Sequence, residues 1–279
     1  MTKPYIDFKE VEQSIRENAP AVVYKYRTWK DDNHKNLHLK RQVWFSHPYD
    51  LNDPLDVRPE FAYDADEVNS EAFYQRLIAG MHELFPETQF YPPEIQQRLA
   101  TEKWDQIKEN PKGHFDANRA VLEKREHYDP YGIFSTSVNG LSVPTWEHYG
   151  DNYTGYCVGF RTVDLCRELN CTAAMVEYND APYMLSFTGK RDGIDILLYK
   201  KTSWSHEEEF RFATVGVGIY YERLREFDPQ TVAEVIIGHN MPPKDMEEVI
   251  ASVKKIYPVG IPIYQTVLSN GVLSKNQIA

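Results

Sequence analysis

The stretch Trp204-Ser205-His206-Glu207-Glu208-Glu209-Phe210-Arg211-Phe212 sets two carboxylates and a guanidinium at alternate positions. Read as a strand, it turns Glu207, Glu209 and Arg211 to one face and His206, Glu208, Phe210 and Phe212 to the other, because side chains alternate with period two. Such a ridge is either one wall of a polar pocket where carboxylates meet a ligand, or a structural ladder of ion pairs. A strand bearing Glu-x-Glu close to Lys200 and Lys201 also suits metal-dependent phosphodiester cleavage.

Two further stretches carry groups able to bind or react. Phe134-Ser135-Thr136-Ser137 places alternating hydroxyls at a strand end, where they bond either a ligand or the next strand. Trp146 to Phe160 holds a Trp, a His, three tyrosines and three glycines, with Gly150 and Gly155 free to take special backbone angles and fold the aromatics around a cleft. His148 reads as a general base or a donor; a lone histidine is more often structural. No HExxH, EF-hand loop, GxSxG, GxGxxG or P-loop occurs, so no metal set, hydrolase elbow or dinucleotide fingerprint is expected.

Composition narrows the class. The chain has 279 residues, 42% of them hydrophobic, which is enough for a sizeable core. Its net charge of -11 argues against binding nucleic acid broadly through phosphates. The basic segment Lys30 to Arg41 also holds Asp31 and Asp32 and reads as a solvated helix or loop face. Cys157, Cys166 and Cys171 lack the paired spacing of a zinc site and read as buried free thiols. No apolar leader or run of about 18 apolar residues is present, which predicts a cytoplasmic protein with no membrane partner.

The elements that must position these groups follow from periodicity. Asp7 to Asn18 reads as a helix, Ala21 to Tyr26 as a strand with Arg27 at its far end, and Gln42 to Ser46 as a second strand. His47 to Asp56 is a turn system rich in Pro, Asn and Asp. Residues 61–128 read as a helical insertion. Strands follow at Gly132 to Ser137, Gly155 to Phe160, Thr172 to Tyr178, Val232 to Gly238 and Ile261 to Val267, with helices at Gly193 to Thr202 and Pro242 to Lys255. The expectation is one α+β domain over 1–279 with a bent, mostly antiparallel, split sheet.

The order of these segments resembles a bacterial family, the domain of unknown function 2971 family, some of whose members are linked to abortive infection against phage. The resemblance rests on Tyr24-Lys25-Tyr26-Arg27, Trp44-Phe45-Ser46, Asn52 to Asp56, Phe134 to Ser137, Trp146-x-His148-Tyr149, Gly155-Tyr156-Cys157 and the block from Lys201 to Arg211, and spans roughly residues 22–265. More distantly, Arg27, Ser135-Thr136-Ser137 and Glu207-x-Glu209 resemble the Arg, Ser-Thr-Ser, Glu-x-Glu series of arginine-type ADP-ribosyltransferases. That resemblance implies a transferase-like fold and NAD as a substrate. It puts Arg27 on the phosphates, Ser135 and Ser137 near the nicotinamide ribose, Glu209 on a ribose hydroxyl and Glu207 on the proton of an attacking acceptor. His148, Tyr149, Tyr153, Trp204 and Arg211 complete the expected nucleotide site, with Tyr149 or Tyr153 stacked on nicotinamide. The partners implied are a small-molecule nucleotide, a protein or nucleic-acid acceptor and a neutralising or regulatory protein. The alternatives are a non-catalytic sensor binding a nucleotide or peptide, and a metal-dependent nuclease.

Overall fold

The run Tyr131-Gly132-Ile133-Phe134-Ser135-Thr136-Ser137 becomes a central strand, its apolar and hydroxyl side chains alternating between two covered faces. The computed structural model describes residues 13, 15–186, 195–217, 220–257 and 260–279. Strand β1 (Val22–Arg27) leads into helix α1 (Asp32–Leu39), then β2 (Gln42–Trp44) and β3 (Phe61–Tyr63). Helices α2 (Glu71–Leu84), α3 (Pro93–Glu109) and α4 (Pro111–Leu122) precede β4 (Tyr131–Ser137), α5 (Val143–His148), β5 (Tyr156–Arg161) and α6 (Thr162–Leu169). Short strands follow: β6 (Thr172–Met175), β7 (Glu177–Tyr178), β8 (Tyr183–Leu185) and β9 (Tyr199–Lys200). The chain closes with β10 (Glu209–Val215), β11 (Leu224–Glu226), β12 (Val232–Ile237), α7 (Pro243–Ile256), β13 (Ile263–Ser269) and β14 (Val272–Gln277).

The architecture is mixed α and β, built on an eight-stranded sheet of order β14-β13-β12-β5-β1-β4-β10-β6. Neighbours are antiparallel except β12 and β13, which run parallel. One face is packed by Phe134, Val158, Phe160, Phe210, Phe212 and Val235 against Leu165 of α6 and Val249 and Val253 of α7, all buried. Removing such side chains from water is the main force holding these layers together.

The sheet has a seam that matters for the site. β1 pairs with β5 from Val22↔Arg161 to Arg27↔Tyr156, but with β4 only at Tyr24↔Ser137. Beyond that point the two strands part. Backbone groups left open there need other partners. Ser46 exchanges backbone hydrogen bonds with Ile133, and Lys25 Nζ donates to the Ser135 carbonyl at 2.5 Å.

Two sequence expectations change, one lies mostly outside the described residues, and one strand is new. The segment from Thr202 to Glu207 is a 3-10 turn, not a strand, and Glu208 is left-handed at φ 46, so β10 starts only at Glu209. Asp195–Leu198 is a 3-10 turn where a helix was expected over Gly193 to Thr202, the first two of those residues lying outside the described ones. The expected N-terminal helix is seen at 15–18, and the rest of it lies almost wholly outside the described residues. β14 was not foreseen, although Asn270-Gly271 signals its hairpin: both residues have positive φ, 52° and 78°, as a two-residue turn of this hand requires.

Candidate functional site

The alternation along β10 turns Phe210 and Phe212 into the apolar core and leaves Glu209 and Arg211 on the opposite face. Across the ladder, Glu209 stands opposite Ser137 and Arg211 opposite Ser135. The Ser135 and Ser137 hydroxyls and Glu209 thus share a face, and Arg27, on the face of β1 that carries Val23 and Lys25, reaches the same region where β1 parts from β4.

Arg211 is 0% exposed. Its Nε and Nη2 donate to Glu209 at 2.8 and 3.0 Å, its two terminal nitrogens donate to Asp56 at 3.1 to 3.2 Å, and Nη1 also donates to the Leu197 carbonyl. A guanidinium so surrounded has no donor left for a ligand. Arg211 is therefore not a nucleotide contact, as the sequence reading had it, but the residue that holds Glu209 and Asp56 in place. Asp56 is delivered by the turn system after Pro54 and precedes Val57, a buried β-branched residue at φ 54, a backbone outlier that fixes where Asp56 points.

Lys200, also buried, sits among three carboxylates: it donates to Glu207, to Glu209 at 2.9 Å and lies 3.5 Å from Asp56. Tyr149 donates to the other oxygen of Glu207 at 2.7 Å. Glu207 reaches this cluster from its 3-10 turn and not as a strand neighbour of Glu209. Burial alone would push the Glu209 carboxyl up, yet Arg211 and Lys200 outweigh it and hold the group well below the usual carboxylate range. For Lys200 burial acts downward and the carboxylates of Glu209, Asp56 and Glu207 reverse it, holding the ammonium charged. Burial raises Asp56 even beside Arg211. Ser135 adds a side-chain hydrogen bond to Glu209, and the backbone N–H of Glu209 donates to Tyr178 Oη at 2.8 Å.

These groups border a cavity of about 800 Å³ that enters through the seam. Arg27, Ser135, Ser137, Tyr149, Trp204, Glu207 and Glu209 all line it, together with Lys25, Asp56 and Lys200. The opposite wall comes from α1, through Asn33, His34 and Leu37, so the basic segment from Lys30 to Arg41 is not merely a solvated face. His38 in that segment is fully buried. Trp204 lies over Lys200, 5.2 Å from its ammonium.

Two expected residues stand elsewhere. His148 is exposed at the end of α5, edge-on to Tyr149 at 4.5 Å, because the helix turns Trp146 inward and His148 outward. Tyr153 stacks on Trp146 at 5.8 Å and on His239 at 4.4 Å, inside a separate apolar cluster. It belongs to a turn in which Asp151, Asn152 and Tyr153 are all left-handed, a conformation of roughly 1–2 kcal/mol per residue. Close packing holds that turn: a Cβ on Gly238 would lie 2.0 Å from the Tyr153 carbonyl oxygen.

The expected nucleotide site left out Asp56 and Lys200. Asp56 carries a signal, its place in the Asn52 to Asp56 motif, but nothing local says that its partner is Arg211, 155 positions away. Among the described residues no group of three His, Cys, Asp or Glu is disposed to hold a metal ion, and the Lys200 ammonium already occupies the space between the carboxylates. All three cysteines are free and buried.

Residues 145–212, which carry Tyr149, Lys200, Glu207, Glu209 and Arg211, match the family model described as protein of unknown function DUF2971. The match is narrower than the span 22–265 over which the motif order resembles that family. No curated protein and no solved structure matches the chain. Among the described residues no helix is long and apolar enough to cross a membrane.

Proposed function

We propose that this chain consumes NAD, as an ADP-ribosyltransferase or NAD glycohydrolase with a protein, nucleic-acid or water acceptor, in the bacterial defence setting that the motif order implies. One observation carries the reading: Arg27, Ser135 and Glu209, from three adjacent strands, line one cavity whose volume suits a nucleotide-sized ligand. Order and residue type support the likeness to the Arg, Ser-Thr-Ser, Glu-x-Glu series, with Arg27, Ser135 and Glu209 on strands and Glu207 on the turn before β10.

The chemistry follows from charge. The bond from ribose C1′ to the nicotinamide nitrogen breaks, its electron pair leaving on nicotinamide, and positive charge develops at C1′. The ionised Glu209 stabilises that charge. The acceptor oxygen or nitrogen then bonds to C1′, and its proton passes to Glu207, held in place by Tyr149 and Lys200. Arg27 faces the phosphates as a bidentate donor.

A second reading, a binding module for the same class of ligand, has its own support. Glu209 already accepts from Arg211 twice, from Lys200 and from Ser135, which fills the four acceptor positions of a carboxylate. A ribose hydroxyl enters only by taking the place of the Ser135 hydroxyl, the one rotatable neutral donor of the four.

Incubating the protein with NAD and measuring free nicotinamide separates the two. Release above background supports the enzyme; an NAD-dependent rise in melting temperature without release supports the module. Neither effect refutes both.

A further inference from the structure

Lys25 and Arg27 lie two residues apart on β1 and so share a face, which the seam opens toward the cavity. Of the other cations, Lys200 and Arg211 are matched by Asp56, Glu207 and Glu209, and Lys40, which also lines the cavity, is exposed to water. Lys25 and Arg27 are neither matched nor exposed. Lys25 Nζ donates to the Ser135 carbonyl and sits 5.1 Å from the centre of the Phe134 ring, and Arg27 Nη1 makes a long 3.3 Å bond to the Tyr26 carbonyl. Among the described residues neither ion-pairs with a carboxylate. Asp31, the acid beside Arg27, is exposed and occupied in capping α1, accepting from the N–H groups of Asn33 and His34 at 2.7 and 3.3 Å, and Glu209 and Glu207 act on Lys25 without forming an ion pair.

A third nitrogen-bearing side chain completes this wall. His34 lines the cavity from α1, and its Nδ1 is buried with no hydrogen-bond partner among the described residues. A buried polar atom without a partner is costly unless a ligand satisfies it. Burial and the nearby Arg27 push the Lys25 ammonium well below the ordinary lysine range, and the same two causes lower His34. Two half-buried basic groups and an open imidazole nitrogen, facing a cavity, call for a polyanion.

We propose that Lys25 and His34 join Arg27 as a diphosphate-binding wall, so that the cavity selects nucleotides carrying a diphosphate over monophosphates and nucleosides. This rests on the nucleotide reading of the cavity but not on catalysis. Lys25 is the discriminating residue, because a charge-assisted bond to a second phosphoryl group is what a monophosphate cannot supply.

The test is calorimetric titration of the full chain with ADP, AMP and adenosine, using wild type, Lys25→Gln, Lys25→Arg and His34→Gln. Wild type is expected to bind ADP at least about tenfold tighter than AMP, and Lys25→Gln to weaken ADP by roughly 10-fold to 100-fold while leaving adenosine within about twofold. Lys25→Arg should retain most of the ADP affinity, and His34→Gln should lose part of it. Without nucleotide, Lys25→Gln exchanges relief from the like charge of Arg27 for loss of the Nζ bond to the Ser135 carbonyl, so its melting temperature should stay close to that of wild type. Equal weakening of all three ligands, no preference for ADP, or no nucleotide binding at all overturns the proposal. Nicotinamide release is read on the same proteins. Lys25-dependent ADP selectivity without release keeps the diphosphate wall and removes the enzyme; release with an unchanged KM for NAD in Lys25→Gln does the reverse.

Discussion

Replacing Arg211 by Met removes a charge while keeping an unbranched side chain of similar length in a fully buried position. It leaves Asp56 and Glu209, both buried, facing Lys200 alone, and deletes the hydrogen bonds that Arg211 makes to them and to Leu197. Breaking a buried ion set by removing one partner costs about 3–5 kcal/mol. For a chain of this length that is a fall in melting temperature of roughly 10 °C. The pH dependence identifies the cause. In the wild type Glu209 is held below its ordinary value of 4.5, so its contribution is present above that value and lost as pH falls through the lower folded one. In the Met variant burial acts on the carboxylates with less opposition and raises them, so they destabilise increasingly as pH rises. The deficit relative to wild type should therefore be largest near about pH 8 and shrink toward about pH 5. Urea melts of both proteins across that range measure it. A deficit that does not change with pH would show a loss of packing and refute the electrostatic account, as would a deficit under about 1 kcal/mol.

Three further outcomes are expected. Glu209→Gln should reduce nicotinamide release by roughly 100-fold or more; it also weakens Arg211 and Lys200, so the rate is to be read well below the melting temperature, and near-normal release would remove Glu209 from the chemistry. In Gly155→Ala the new Cβ would lie 2.3 Å from the Arg27 carbonyl oxygen and 2.9 Å from that of Gly150, both backbone, so the end of β1 must move; a loss of about 1–3 kcal/mol is expected, and an unchanged melt refutes it. His38, bonded to Tyr257 at 3.1 Å and Ser252 at 2.6 Å, has its pKa lowered by burial from 6.5 to about 4. The unfolded chain then takes up this proton first, and stability falls as pH drops through that interval by up to about 1.4 kcal/mol per unit; an imidazole resonance of His38 titrating near 6.5 would contradict this.

Where the site was legible, short-range geometry made it so. Alternation placed Glu209 with Arg211, and Ser135 with Ser137, because the extended backbone turns successive side chains apart whatever its neighbours are. The same rule failed at Glu207, where the chain leaves the strand through a 3-10 turn and a left-handed Glu208, a backbone choice with no glycine to announce it. Composition misled at Tyr153, whose neighbourhood reads as a cleft but whose ring packs on Trp146.

By itself the sequence determined most strands of the large sheet and their faces, the mixed α and β character and the ordered appearance of Arg27, Ser135 and Glu209. Only the tertiary structure decided that β1, β4 and β10 lie side by side, that β1 and β4 part after Tyr24, and that Asp56 and Lys200 complete the charge cluster. The reason is the range of the forces. Alternation and turn chemistry act over a few residues. The strand order rests on burying whole faces against distant helices, and a buried charge takes its partner from wherever the fold brings one within reach. Arg211 found Asp56 that way, and Lys25 and Arg27, at the seam, pair with no carboxylate among the described residues.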